Sequence, residues 1–372
     1  MEGNTFIDLF AGCGGLSLGL QQAGFKCIFM NEIDPKCCET YLKNMPLQEY
    51  FSGDIKELNK HLEQYSALFT DVDLVCGGPP CQGFSTANRQ RLLNDPRNVL
   101  YKEYLKFLSF VKPKFFILEN VKGIKNKIIE ISEDIDRIVG KEYKIAYKVL
   151  EASDFGVPQH RERFIMIGSR IGLDPKTIFL NLSNNKYPHF TLYDAISDLP
   201  KLEPKTIKNN SSIENDKIGY RSIEYHYKNT PYRKFINGDT ITKFLLNHKN
   251  RYNNDRDIEI FRRLPQGCNS LHESISDIMP YKSRNTIFKD KYYKLEYSKV
   301  CRTITSHMKY DCNMYIHPVD ARGLSPREAA RIQTFPDYFE FTGPQNHWYH
   351  QIGNAVPVKM AEAIGKEILK CL

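Results

Sequence analysis

The chain has 372 residues, 41% hydrophobic and 26% charged, which is enough for one large globular domain and a smaller one. No run approaches the roughly 20 apolar residues of a membrane span, and Met1-Glu-Gly-Asn-Thr5 lacks the basic and apolar regions of a secretion signal. The net charge of +8 is concentrated in residues 181–310, with 23 Lys/Arg against 14 Asp/Glu, a balance that suits either a polyanion-binding face or a solvated Lys-rich surface.

Residues 5–10 read as a short apolar strand, followed by the turn Ala11-Gly-Cys-Gly-Gly15 and a helical pattern through Leu16, Leu18, Leu20 and Ala23. Strand, glycine turn and helix open a nucleotide-binding βαβ unit, although glycine turns also merely end strands. A second strand over 26–30 ends at Asn31-Glu32. An acid at that tip, about 20 residues past the glycines, is placed to accept bonds from a ribose diol. Asp34-Pro35 caps the next helix. Asp54, after a third short strand, is either an adenine-edge contact or a turn former.

Val72-Asp-Leu-Val-Cys76 reads as a buried strand that runs into Gly77-Gly-Pro-Pro-Cys81. Two glycines allow a sharp turn, two prolines stiffen the next step, and Cys81 follows at a strand's C-terminal end, where open α/β sheets place ligands. A thiol so held suits a nucleophile; the plainer reading is a half-buried structural cysteine. The ten cysteines show no paired spacing, which points to reduced thiols in a cytosol-like compartment. A polar loop over 88–98 is long enough to close over a substrate. A helix is expected over 99–110, then a strand ending in Glu119, a helix over 128–139, a strand over 143–150 and a last strand over 164–168. Alternation of this kind predicts an α/β fold with a doubly wound, mixed but mostly parallel sheet.

From about Leu180 to about residue 316 the apolar periodicity fades. Tyr220, Tyr225, Tyr227, Tyr232 and Tyr252 lie among Arg221, Lys228, Arg233, Lys234 and Arg251, a mixture suited to phosphate and base contacts or to Tyr rings packed on basic stems. Cys301, His307, Cys312 and His317 lack the close Cys pair of structural zinc sites, so no metal is expected. Ser325-Pro326 caps a helix to Ile332, and a final amphipathic helix runs to about Leu369.

In this order, six stretches resemble the cytosine-5 DNA methyltransferase family of bacterial restriction–modification type. They are Asp8-Leu-Phe-Ala-Gly-Cys-Gly-Gly15, Gly78-Pro-Pro-Cys-Gln-Gly-Phe-Ser85, Glu119-Asn-Val121, Gln159-His-Arg-Glu-Arg163, Arg322-Gly-Leu-Ser-Pro-Arg-Glu-Ala-Ala-Arg331 and Gly353-Asn-Ala-Val356. The resemblance implies a Rossmann-like domain over 1–180, completed by 342–372, with a DNA-reading domain over 181–341. It implies S-adenosylmethionine as methyl donor, with Phe10 on the adenine, Glu32 and Ile33 at the ribose end, Asp54 and Ile55 at the adenine edge, and Gly12, Gly14, Pro80 and Asn354 lining the rest. It further implies double-stranded DNA as partner, a cognate restriction endonuclease acting separately, a monomer, and a location in the bacterial cytoplasm or nucleoid.

The chemistry can be argued from the atoms. Carbon 5 of cytosine is a poor nucleophile, and thiolate addition at carbon 6 by Cys81 makes it electron-rich. Glu119, its pKa raised by burial, would hydrogen-bond or protonate N3. Arg163, with Arg161, would hold the base carbonyl. A stacked base is out of reach, so the cytosine must be flipped out. Two rivals remain: a tRNA methyltransferase of the same fold, against which Gly83-Phe-Ser85 argues, and a catalytically dead DNA-binding subunit, against which the intact Cys81, Glu119, Arg161 and Arg163 argue. Thr286-Ile287 and Thr303-Ile304 are both candidates for the Thr-plus-aliphatic pair of a target-recognition region.

Overall fold

The computed structural model describes residues 3–80, 100–208, 212–279 and 291–372. Cys81, the covering loop over 85–98 and Thr286-Ile287 lie outside the described residues. Two compact units are present. Unit 1 is Met1–Phe155, Glu162–Pro188 and Val356–Leu372; unit 2 is Gly156–Arg161 and His189–Ala355. The boundaries near 188 and 355 differ from the 180 and 341 read from sequence, because α6 and α11, given below, were both invisible to apolar periodicity. Among the described residues, no helix is long and apolar enough to cross a membrane.

Unit 1 begins with strand β1 (Thr5–Leu9), helix α1 (Gly15–Ala23), β2 (Lys26–Glu32), α2 (Pro35–Asn44), β3 (Phe51–Ser52), α3 (Ile55–Leu58) and β4 (Leu74–Gly77). It continues with α4 (Leu100–Val111), β5 (Phe115–Asn120), α5 (Ile128–Ile138), β6 (Lys144–Glu151), β7 (Glu162–Ser169) and α6 (Lys176–Asn184). The sheet order is β3-β2-β1-β4-β5-β7-β6, with β7 antiparallel to both of its neighbours and the rest parallel. This is the mixed, mostly parallel sheet expected from the alternating pattern. The order reverses between β1 and β4, so the crevice outside their carboxyl ends is the place where such sheets bind ligands. The central strands are apolar on both faces since helices cover both. Ile7, Phe29, Val75, Phe107, Phe116 and Met166 meet in one core with none of their surface exposed.

Unit 2 contains α7 (Leu192–Ile196), β8 (Gly219–Glu224), α8 (Pro231–Asn237), β9 (Phe244–Lys249), α9 (Asp255–Arg263), α10 (Pro326–Ile332) and α11 (Gln345–Asn354). β8 and β9 pair antiparallel. The capping signal at Ser325 is realised: its hydroxyl accepts from Glu328 N, and the Glu328 side chain accepts from Ser325 N. Buried ion pairs run through the unit alongside buried apolar residues such as Phe261, Phe335, Phe341 and Trp348. Arg331 is held by Asp198 and Asp337, and Arg322 by Glu328 and Asp320. Two of the interleaved tyrosines lie beside Arg331. Tyr227 lies under the Arg233 guanidinium at 4.1 Å, and the buried Tyr232 donates to Arg331 O. For Tyr227, packing on a basic side chain is the reading that holds, while Tyr232 bonds a backbone carbonyl.

The chain ends with α12 (Val358–Leu369), which returns to unit 1 and lies on α1. Small residues allow the approach. A Cβ added at Gly19 would sit 2.4 Å from both Ala361 Cβ and Val358 O, and one at Gly365 would sit 2.8 Å from Ala23 Cβ.

Candidate active site

The carboxyl ends of β2, β1, β4 and β5 form one edge, and most of the residues singled out from sequence lie along it. After β1 the backbone turns left-handed at Phe10, Gly12 and Gly14, with φ of 58°, 56° and 93°. For the glycines this is free of strain; for Phe10 it costs about 1–2 kcal/mol, which the surrounding fold must supply. Glu32 holds this turn. Its Oε2 accepts from Gly12 N at 2.7 Å and its Oε1 from Asp34 N at 2.8 Å. Burial pushes its carboxyl pKa up, against those two bonds, which pull it down. Each carboxylate oxygen has a second lone pair, so Glu32 can still accept from a diol. Ile33 beside it is 63% exposed and offers an apolar surface. No side chain caps the N-terminus of α1, whose N-cap is Gly14.

Asp54 is the N-cap of α3 and accepts from Lys56 N at 2.9 Å, so the turn-forming role is realised. Ile55 is buried in the core of unit 1. Asn31, overlooked in the sequence, sets the height of this loop by donating to Phe51 O at 3.0 Å and Gly53 O at 2.9 Å. Asp8 was also overlooked, although a lone acid inside an apolar strand is the signal that could have found it. It is buried and accepts from Ser17 Oγ at 2.6 Å, while Tyr41 Oη donates to Ser17 Oγ at 2.7 Å. Burial raises the Asp8 pKa to about 7, partly offset by bonds from Ser17 and Cys76.

The approach to Cys81 is fixed from two sides. A Cβ on Gly77 would lie 2.7 Å from Leu9 O, and one on Gly78 would lie 2.7 Å from Glu119 Oε2. The glycines thus put the end of β4 in direct contact with β1 and with the Glu119 carboxylate. Asn120, next in β5, donates through Nδ2 to Pro79 O at 2.8 Å and accepts from Val121 N at 2.9 Å. Pro79 is therefore pinned to β5, while Pro80 is exposed. Arg163 on β7 donates from Nε to Glu119 Oε1 at 2.8 Å, each side chain being 13% exposed. Burial lowers the Arg163 pKa and Glu119 opposes the shift; the guanidinium stays charged. Its Nη1 donates to Glu162 O at 2.8 Å.

Arg161 does different work from Arg163. It is 1% exposed, and its terminal nitrogens donate to Ile304 O, Gly353 O and Ala355 O at 2.6, 3.1 and 2.8 Å. In this position the Arg161 guanidinium clamps three backbone carbonyls, a structural arrangement that the expected role of holding a base oxygen did not include. Alternation along an extended segment could not reveal this, since it does not say what each face meets. Asn354, at the end of α11 in unit 2, is exposed and bonds His350 Nε2 at 3.2 Å.

Known proteins are similar to this chain over nearly its whole length. A family model described as C-5 cytosine-specific DNA methylase matches residues 4–370. The Type II methyltransferase M1.HphI of Haemophilus parahaemolyticus is 34% identical over 98% of this chain and 87% of its own length. The Type II methyltransferase M.XorII of Xanthomonas oryzae pv. oryzae is 32% identical over 98% and 84%. A crystal structure of an E. coli protein, assigned as a DNA modification methyltransferase encoded within a prophage, superposes with a TM-score of 0.76 at 27% identity, covering 99% of both chains. The S. pombe Dnmt2 methyltransferase, at 15% identity and a TM-score of 0.57 over 99% and 98%, shares the fold.

Proposed function

This chain belongs to the C-5 cytosine-specific DNA methylase family, and on that footing we propose that it methylates carbon 5 of a cytosine flipped out of a specific duplex DNA sequence, with S-adenosylmethionine as donor. The observation that carries the reading is the Glu119–Arg163 pair lying against Gly78, three residues before Cys81. The residues at the β1–β2 edge fit the donor. Glu32 suits the ribose hydroxyls, Phe10 and Ile33 the adenine faces, and the glycine turn with the uncapped start of α1 suits a carboxylate. When bound there, the donor supplies an electrophilic methyl group.

The chain's own residues do the rest. Cys81 adds through sulfur to carbon 6 of the ring, and the electron pair of the 5,6 double bond becomes available at carbon 5. Glu119 hydrogen-bonds N3, where charge builds, and Arg163 holds Glu119 in position through Nε while offering its remaining donors to the base oxygen. After methyl transfer the carbon-5 proton leaves to a base or water, and the sulfur departs as thiolate. Unit 2 reads the target. Thr303-Ile304 is the candidate recognition pair among the described residues, Thr286-Ile287 lying outside them, and the exposed Lys228, Lys234 and Lys243 suit phosphate contacts. The names of the Type II relatives are in keeping with a protective role beside a separate endonuclease; for the chain itself the reading is a monomer in the bacterial cytoplasm. The family description and Gly83-Phe-Ser85 favour DNA over tRNA.

The test is Cys81→Ser. It should abolish methyl transfer to duplex DNA while donor binding persists; turnover retained in that variant refutes the nucleophile. Bisulfite sequencing of DNA exposed to the wild type reports base and sequence context together, and a tRNA substrate should stay unmodified.

A further inference from the structure

We propose that Arg161, assisted by Gln159, is a positioning residue for target recognition: it fixes Thr303-Ile304 in place and does not touch the cytosine. The proposal rests on the reading that unit 2 reads DNA, here through the exposed residues that follow the pair, since Ile304 itself is fully buried.

Segment 301–304 lies beside residues 158–160 as a short parallel ladder. Cys301 N donates to Pro158 O and His160 N to Cys301 O, each at 2.8 Å. Side chains then take over. Gln159 Oε1 accepts from Ile304 N at 2.9 Å, and Arg161 donates to Ile304 O at 2.6 Å. Both backbone groups of Ile304 are thus held by two side chains two residues apart. Thr303 Oγ1 donates to His160 O at 2.6 Å, which fixes the hydroxyl as well. Gln159 is itself locked by donating to Gln333 Oε1 at 2.6 Å, and Gln333 donates to Ile352 O at 2.8 Å. The second arm of Arg161 reaches Gly353 and Ala355, so one guanidinium joins the 304 segment to the end of α11. From that side the backbones touch: a Cβ on Gly353 would lie 2.2 Å from Ser306 N and Thr305 C.

Gln159 is fully buried and Arg161 nearly so, so water cannot replace these bonds. Surface segments are usually mobile. This one is clamped up to Ser306, and beyond it His307 and Tyr310 stand exposed. Arg251 holds that exposed turn from beneath by donating to Met308 O at 2.6 Å and Tyr310 O at 2.7 Å. Recognition needs side chains held to within about 0.5 Å, which such a clamp supplies. A lysine at 161 would keep the charge but could not span three carbonyls with a planar fork.

The experiment uses the full chain with Arg161→Lys and Gly353→Ala. Discrimination is read by bisulfite sequencing as the methylation rate at the target over that at sites differing by one base pair, with kcat, DNA KM, donor affinity and melting measured alongside. Arg161→Lys should lose tenfold or more in discrimination and raise DNA KM more than it lowers kcat. Gly353→Ala removes no polar group and should shift discrimination in the same direction; it carries the test alone should Arg161→Lys not fold. A hundredfold loss of kcat with discrimination intact places Arg161 on the base and overturns the proposal. His307→Ala and Tyr310→Ala test the reading beneath. Should these shift discrimination while both clamp variants keep it, the positioning role alone fails. Should none of the four shift it, the reading fails and the proposal with it.

Discussion

Gly78→Ala tests the core of the proposed chemistry with one methyl group. The added Cβ would meet Glu119 Oε2 at 2.7 Å, whereas ordinary contact begins at 3.4 Å, so the gap must open by about 0.7 Å. Gly78 does not have a left-handed backbone, so alanine introduces no conformational strain there. The strain falls on the carboxylate, which Arg163 holds from the other oxygen, or on the Pro79 peptide, which Asn120 holds. Either shift misaligns Glu119 with the loop leading to Cys81. A displacement near 1 Å at a reacting centre costs on the order of 100-fold in rate. We expect kcat to fall by about that factor, which corresponds to about 2.7 kcal/mol in the barrier. Donor affinity should hold, because Glu32 and the glycine turn are untouched. Single-turnover transfer of labelled methyl groups to duplex DNA measures the first quantity and calorimetric titration the second. A Gly78→Ala enzyme within threefold of wild type, with its melting temperature intact, would refute the placement of Glu119 in the reaction.

Two further outcomes concern stability. Asp8 is raised from 3.8 to about 7, so the folded chain holds a proton that the unfolded chain has released; its contribution to stability is full below about pH 4 and declines as pH rises toward 7. Three units correspond to about 4 kcal/mol at most. Denaturant titrations at pH 5 and pH 8 should show wild type losing stability relative to Asp8→Asn at the higher pH, and parallel behaviour of the two would count against a protonated Asp8. Arg331→Met leaves Asp198 buried without its cation and Asp337 with Arg233 as its cation, and should cost about 3–5 kcal/mol, visible as a lower melting temperature; a loss under about 1 kcal/mol would mean that water reaches the Asp198 carboxylate.

The parallel sheet and the strand-end positions of Glu32 and Glu119 were legible because apolar runs, glycine turns and acids at run ends each leave a local trace. Other features left none. α11 buries Trp348, Tyr349 and Ile352 amid Gln, His and Asn, so its apolar face is too sparse to show as a period. α9 presents only Ile258, Ile260 and Phe261 to its core among six charged residues. The grip of Asn120 on Pro79 and of Gln159 on Ile304 joins residues 41 and 145 positions apart. Arg161 and Arg163 look alike in sequence; one meets three carbonyls and the other a carboxylate, a distinction made by tertiary neighbours alone.

The return of α12 to α1 has a consequence for biogenesis. More than 330 residues separate the two helices, so a ribosome extending the chain at roughly 5–20 residues per second leaves the Gly19 face bare for roughly 20 to 70 seconds. Every residue of unit 2 is translated before the helix that completes its companion emerges. A nascent chain stalled between residues 33 and 357 therefore carries the whole glycine turn and Glu32 yet lacks the helix that covers α1, and such a fragment is a substrate for chaperones and proteases before it is an enzyme.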